Sequence, residues 1–304
     1  MSAHLIVGPG ALGRLVGLSL AKDGRVTLVG RRPLPIAQTL ITPEGEALTL
    51  SVPTLTLDRL PSLTDDIVHL ATKAYAADAA HAAIAPRLAP GTPLVLWQNG
   101  FDCQPRLSEY HDGPVLCATT TEGAWLAGDD RVVHAGHGVT FLGDLGNHHL
   151  PLARSLATAL TAAGLTTAAV PDIRIRLWRK LAVNAAINPL VARFRIHNGQ
   201  LRDRPFRPMV EAVIEEVAAI MAAEGIAPPD GAGAAGWRVL VWQVVADTAN
   251  NRASMLQDTL AGRPTEREAI LGPLLAAARR HGIEVPRLAG LDAALARANP
   301  AGPR

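Results

Sequence analysis

Between Leu177 and Leu190 the chain is apolar except for Arg179, Lys180, Asn184 and Asn188. The last three stand at i, i+4 and i+8, and at about 100° per residue they share an arc of roughly 80° on one helix face. A helix apolar nearly all round is buried, so a polar stripe on it needs partners. Amides and an ammonium facing a cavity can hold a small polar molecule, and the ammonium can supply a proton. Plainer readings stand beside this one. Asn188-Pro189 also reads as the N-cap and first residue of a second helical piece, Asn184 as a satisfied core amide, and Lys180 as a side chain snorkelling to water.

Elsewhere the pattern changes character once. Up to about residue 170, short apolar runs alternate with helical periodicity, as in a parallel sheet. His4–Val7, Arg25–Val29, Asp66–Ala71, Pro93–Trp97, Val115–Ala118, Val132–His134, Thr140–Leu142 and Thr166–Val170 read as strands, and Leu152–Ala163 as an Ala-rich helix. From Pro171 helices dominate, at about 173–190, 206–224, 236–249, 264–281 and 288–297, with a loop at Pro228-Pro229-Asp230-Gly231-Ala232-Gly233. The expectation is an α/β chain. A Rossmann-type doubly wound sheet over 1–170 is followed by an all-helical domain over 171–304 that closes a cleft over a cofactor.

The first strand runs directly into Gly8-Pro9-Gly10-Ala11-Leu12-Gly13, and a helical pattern follows as far as Asp23-Gly24. Strand, Gly-x-Gly-x-x-Gly and helix in that order form the context of a dinucleotide fingerprint. The first glycine permits the turn, the second admits a pyrophosphate, and the third allows close packing, with the pyrophosphate against free N–H groups of the helix. An NAD site usually has an acid at the end of the second strand, where it accepts from the ribose 2′-OH. Here that place holds Gly30-Arg31-Arg32. A guanidinium clamps a 2′-phosphate that a carboxylate would repel, so NADP(H) is the expected cofactor and Arg31, nearer the strand end, its expected phosphate ligand. Two exposed arginines solvating a loop are the ordinary alternative. Thr72-Lys73 and Gln98-Asn99-Gly100 end two further strands, where ligands of open α/β sheets bind.

Composition narrows the classes. With 29 basic and 27 acidic side chains in 304 residues, the net charge of +2 predicts no nucleic-acid partner. Arg193, Arg195, Arg202, Arg204 and Arg207 are dispersed and read as a solvated surface. Cys103 and Cys117 are too few for a disulfide framework, and His134, His137, His148 and His149 lack ligand spacing, so no metal is expected. No leader is recognised before the first strand, and no apolar run is long enough for a bilayer. The expectation is a cytoplasmic protein without membrane contact, a monomer or homodimer acting on a small molecule.

Together, Gly8–Gly13, Lys73-Ala74, Gln98-Asn99-Gly100, Thr119-Thr120-Thr121, the Lys180–Leu190 helix, Ser254-Met255-Leu256-Gln257-Asp258 and Thr265-Glu266 resemble the 2-dehydropantoate 2-reductase (ketopantoate reductase) family in order and spacing. The resemblance extends to about His281. It implies NADPH-dependent reduction of 2-dehydropantoate to (R)-pantoate, a step toward pantothenate and coenzyme A. By that resemblance Lys180 is the general acid, Asn184, Asn188 and Asn198 are substrate-binding amides, and Ser254 meets the substrate carboxylate. Gly8, Pro9, Gly10, Ala11, Leu12, Gly13, Arg31, Lys73, Asn99, Ala124 and Glu266 fall at positions on or near the cofactor. Ala76 stands where glutamine is common, Glu122 where histidine is frequent, and Arg252-Ala253 precedes Ser254 less usually. These departures keep open a relative acting on another branched or aromatic 2-oxo acid. A non-catalytic NADPH-binding sensor is the third reading, against which the intact lysine and asparagine stripe argue.

Overall fold

The computed structural model describes residues 3–63 and 66–298. Two compact units emerge, Met1–Gln98 with Cys103–Arg176 and Asn99–Asp102 with Leu177–Arg304. The first unit begins with β1 (Ala3–Val7), buried from His4 onward as a strand covered on both faces must be. Then come α1 (Ala11–Leu20), β2 (Val26–Gly30), β3 (Ala37–Ile41), β4 (Ala47–Ser51), β5 (Thr54–Thr56), β6 (Asp66–Leu70), α2 (Ala77–Ile84) and β7 (Leu94–Leu96). After these lie α3 (Cys103–Tyr110), β8 (Val115–Thr120), β9 (Gly123–Leu126), β10 (Arg131–Gly136), β11 (Thr140–Gly143), α4 (Leu150–Ala162) and β12 (Thr167–Ala169).

The main sheet has the order β12-β11-β8-β7-β6-β1-β2-β5. β1 pairs in parallel with both β2 and β6, so the strand order turns back at β1, the switch point outside which ligands bind in such sheets. One apolar cluster, including Ile6, Leu15, Leu18, Leu28, Val95, Leu116 and Leu160, joins α1 and α4 to the sheet.

Two features depart from a simple parallel sheet. β11 runs antiparallel to β8, so one edge is mixed. β10, expected in the parallel sheet, instead belongs to a separate four-stranded sheet of order β4-β3-β10-β9. Its members β3 and β4 were not anticipated, although Leu48 and Leu50 alternate with exposed residues along β4, the period of a half-buried strand.

The long helix α5 (Ile173–Phe194) starts in the first unit and continues into the second. It passes through Pro189 without a break, which corrects the reading of Asn188-Pro189 as a new helix start. Proline removes one helical hydrogen bond. Buried Ala185, Ala186, Ile187, Leu190 and Val191 flank the site, and their packing offsets that loss. α6 (Phe206–Ala223), α7 (Gly233–Asp247), α8 (Ser254–Leu260), α9 (Arg267–His281) and α10 (Pro286–Ala298) complete the second unit. α6 packs against α7, α9 and α10, and its Glu216 accepts from the backbone N–H groups of Arg287 and Leu288 at 2.7 and 2.8 Å, capping α10. α8 is under two turns long, too short for a periodic signal. Among the described residues no helix is long and apolar enough to cross a membrane.

Candidate active site

At the switch point of the first unit, Ala71 N–H donates to Val7 O at 2.8 Å and brings the end of β6 beside the turn after β1. Gly8 has φ +89°, and a Cβ there would lie 2.6 Å from Thr72 N. At Gly13 a Cβ would run into Gly8 O. Both glycines are therefore demanded by the protein's own backbone. Gly10 differs: its φ of −75° is ordinary, it is exposed, and a Cβ there would meet nothing within 4 Å. Helix and strands also pack closely at Gly17, where a Cβ would sit 3.0 Å from Ile6 and from Leu28. The six-residue motif does not include it.

The start of α1 carries neither an acid nor a side-chain cap, so its first N–H groups keep their positive end facing outward. Thr72 Oγ1, beside Gly8, is buried without a hydrogen-bond partner. Open space over Gly10, a positive helix end and an orphaned hydroxyl fit the pyrophosphate of a dinucleotide. Pro9, Ala11 and Leu12 complete the turn, all partly buried.

Arg31 and Arg32 follow β2 and are both exposed. Arg32 is committed, donating two hydrogen bonds to the Asp129 carboxylate at 2.8 and 2.5 Å. Arg31 makes no hydrogen bond or ion pair among the described residues. Lys73 precedes the short turn Ala74–Ala76. Ala124 lies opposite His134 in the β9–β10 pair and packs on the core that holds α1. Glu122 is almost fully buried and its Oε2 meets His134 Nε2 at 2.6 Å and accepts from Gly138 N–H at 2.9 Å. The acid that replaces a common histidine thus serves the second sheet.

In the second unit, Asn99 is placed by the segment that carries it. Gly100 has φ +87°, and a Cβ there would run into Ala269 O. Phe101 N–H donates to Ala269 O at 3.3 Å, and its ring lies 5.4 Å from that of Trp178. The segment is thereby fastened to both α9 and α5. Asn99 Nδ2 donates to Glu266 Oε2 at 3.1 Å, and Glu266, which immediately precedes α9, is buried.

Lys180 stands on α5. Burial pulls its ammonium down to about 8, and the Glu266 carboxylate pulls in the opposite direction. One and two turns further along, Asn184 is half-buried and Asn188 buried. Asn198 is buried as well. Its Nδ2 donates to Thr248 Oγ1 at 2.9 Å, which leaves Oδ1 without a partner. Ser254, the first residue of α8, is exposed. An ammonium that titrates near neutrality can pass a proton to an oxygen, and the amides can hold hydroxyl groups without adding charge. Thr72 lies at a strand end already singled out in the sequence, whereas Arg14 and Asp129 carried no signal there.

The switch-point fingerprint with its open helix end marks the first unit as an NAD(P)-binding domain of the Rossmann type. Family models described as "Ketopantoate reductase PanE/ApbA" and "Ketopantoate reductase PanE/ApbA C terminal" match residues 4–147 and 172–298. The 2-dehydropantoate 2-reductase of Vibrio cholerae is 36% identical over 284 residues, 93% of each chain. The chain belongs to the ketopantoate reductase family. Its fold is shared with the PanE/ApbA family ketopantoate reductase of Ralstonia eutropha JMP134, with TM-score 0.87, 24% identity and 98% of each chain covered. A D-mandelate dehydrogenase solved with NADH and anilino(oxo)acetate has the same fold, with TM-score 0.87, 21% identity and 98% of each chain covered.

Proposed function

We propose that this protein reduces 2-dehydropantoate to (R)-pantoate with NADPH, the step that serves pantothenate and coenzyme A synthesis. The observation that carries this reading is Lys180, an ammonium brought down to about 8 by burial on the same helix as Asn184 and Asn188. NADPH, when bound, supplies the hydride that reaches the ketone carbon. Residues Gly8 to Gly13 would hold the pyrophosphate and Arg31 the 2′-phosphate. Lys73, Asn99, Ala124 and Glu266 would complete the cofactor's surroundings.

As the carbonyl oxygen gains negative charge, Lys180 gives it a proton, so that C=O becomes CH–OH and Lys180 is left neutral. A cation aimed at a developing alkoxide stabilises it. Asn184, Asn188 and Asn198 recognise the hydroxyl groups, and the unused Asn198 Oδ1 is an acceptor for one of them. The Ser254 hydroxyl donates to the carboxylate.

Reduction of another branched or aromatic 2-oxo acid is the second reading. The D-mandelate dehydrogenase of the same fold supports it. Steady-state NADPH oxidation with 2-dehydropantoate, 2-oxoisovalerate and an aromatic 2-oxo acid separates the two. A strong preference for 2-dehydropantoate is the expected result. Equal or better use of 2-oxoisovalerate, which lacks the hydroxymethyl group, would move the protein to a different 2-oxo acid.

A further inference from the structure

Arg14 is 2% exposed although it lies on the helix that starts at the fingerprint. Its Nε donates to Pro9 O at 2.9 Å. One terminal nitrogen donates to Asp129 O at 2.6 Å, and to Gly128 O and Gln38 Oε1 at 3.3 Å each. A buried guanidinium is tolerated when acceptors surround it, and here they come from the fingerprint turn, from β3 and from the turn between β9 and β10. Asp129, whose main chain accepts from Arg14, also holds Arg32 through its carboxylate at 2.8 and 2.5 Å. Gly30 closes the arrangement, since a Cβ there would lie 3.1 Å from Arg32 O and 3.4 Å from Pro9 Cγ. One residue of a distant hairpin therefore touches both halves of the expected cofactor site, the pyrophosphate turn through Arg14 and the arginine loop through Arg32.

We infer that Asp129 is a positioning residue for cofactor choice: by pinning Arg32 in a two-bond ion pair it sets the course of the loop after β2 and leaves Arg31 as the guanidinium for the 2′-phosphate. This rests on the NADPH reading above. The geometry adds a physical distinction between two arginines that the sequence separates only by their distance from the strand end. Arg32 is neutralised by a carboxylate, while Arg31 keeps its charge and its donors. A two-bond guanidinium–carboxylate pair has a defined plane, so it orients the backbone it stands on even where its net contribution to stability is small. Both partners are 60% exposed, and their removal leaves the core untouched.

The test is binding of 2′,5′-ADP and of 5′-AMP by calorimetry to the full chain, for the wild type, Asp129→Asn, Arg32→Gln and the double variant. NADPH and NADH kinetics run in parallel. An exposed pair of this kind contributes little by itself, so 2′,5′-ADP affinity should fall by about two- to fivefold in Asp129→Asn. Binding of 5′-AMP should hold, KM for NADPH should rise with kcat kept, and NADH kinetics should not move. Arg32→Gln should match, and the double variant should lose no more than either single one. Tighter 2′,5′-ADP binding in Asp129→Asn would overturn the inference, because it would mean that Asp129 only withholds Arg32 from the phosphate. Parallel losses for both nucleotides, or no change in either, would also overturn it. Failure of the underlying reading shows separately, as a wild type that does not discriminate 2′,5′-ADP from 5′-AMP.

Discussion

Asn99 donates from its side-chain amide to the Glu266 carboxylate at 3.1 Å, across 167 residues of sequence. Glu266 in turn draws the titration of Lys180 upward against the effect of burial. Burial sets the direction of the shift in the proposed proton donor, and Glu266 limits it. Glu266→Gln keeps an oxygen for Asn99 but removes the charge. Lys180 should then titrate below about 8. Reduction needs the protonated lysine, so the rate falls as pH rises through its pKa, and the variant's descending limb should lie at lower pH than the wild type's. Full pH–rate profiles of the two proteins check this. Coincident limbs would remove Glu266 from the role.

The glycines of the fingerprint should separate by experiment. Gly13→Ala collides with Gly8 O, and Gly17→Ala crowds Ile6 and Leu28 at 3.0 Å. Each should cost about 1–3 kcal/mol of stability. Gly10→Ala meets nothing within 4 Å and should stay within ~0.5 kcal/mol of wild type, yet weaken NADPH binding. Denaturant melts beside a fluorescence titration of NADPH decide it. A destabilised Gly10→Ala with normal NADPH affinity would show that Gly10, too, serves only the fold.

Acid should destabilise the first unit through a buried histidine chain. Trp97 Nε1 donates to His69 Nδ1 at 3.1 Å, which leaves His69 Nε2 to donate to His4 Nδ1 at 3.0 Å. Both rings must be neutral for this arrangement. Burial holds His69 well below its usual 6.5, helped by His4, and burial lowers His4 as well. Groups with lowered folded values contribute fully above the unfolded value near 6.5 and lose that contribution as pH falls toward the folded values. Tm should therefore drop between pH 7 and 5. His69→Gln, whose amide oxygen can still accept from Trp97, should flatten that slope. An equal slope in the variant would place the acid sensitivity elsewhere.

What was legible in the sequence was local. Gly8 to Gly13 sits between a strand and a helix, and Lys180, Asn184 and Asn188 repeat at helical spacing, so each signal lies within a few turns of chain. The links that need the fold were not legible. Asn99 meets Glu266 only because Gly100 and Phe101 fasten their segment to Ala269. Nothing local marks Arg14, and its carbonyl partners Gly128 and Asp129 lie more than a hundred residues away. The second sheet escaped as a unit because its pairing of β3 with β10 joins segments far apart in the chain, which no local pattern reports. The alternative of a new helix start at Asn188-Pro189 is not realised, because proline reports on local propensity whereas a long buried helix is decided by packing.

The measurement that tests the central claim most directly is turnover of Lys180→Ala beside its NADPH affinity. General acid catalysis contributes about 10²- to 10⁴-fold. The variant should lose at least about a hundredfold in kcat while it binds NADPH as the wild type does. Turnover equal to wild type would contradict the account, because no proton donor would then be needed at the position around which the second unit's site is built.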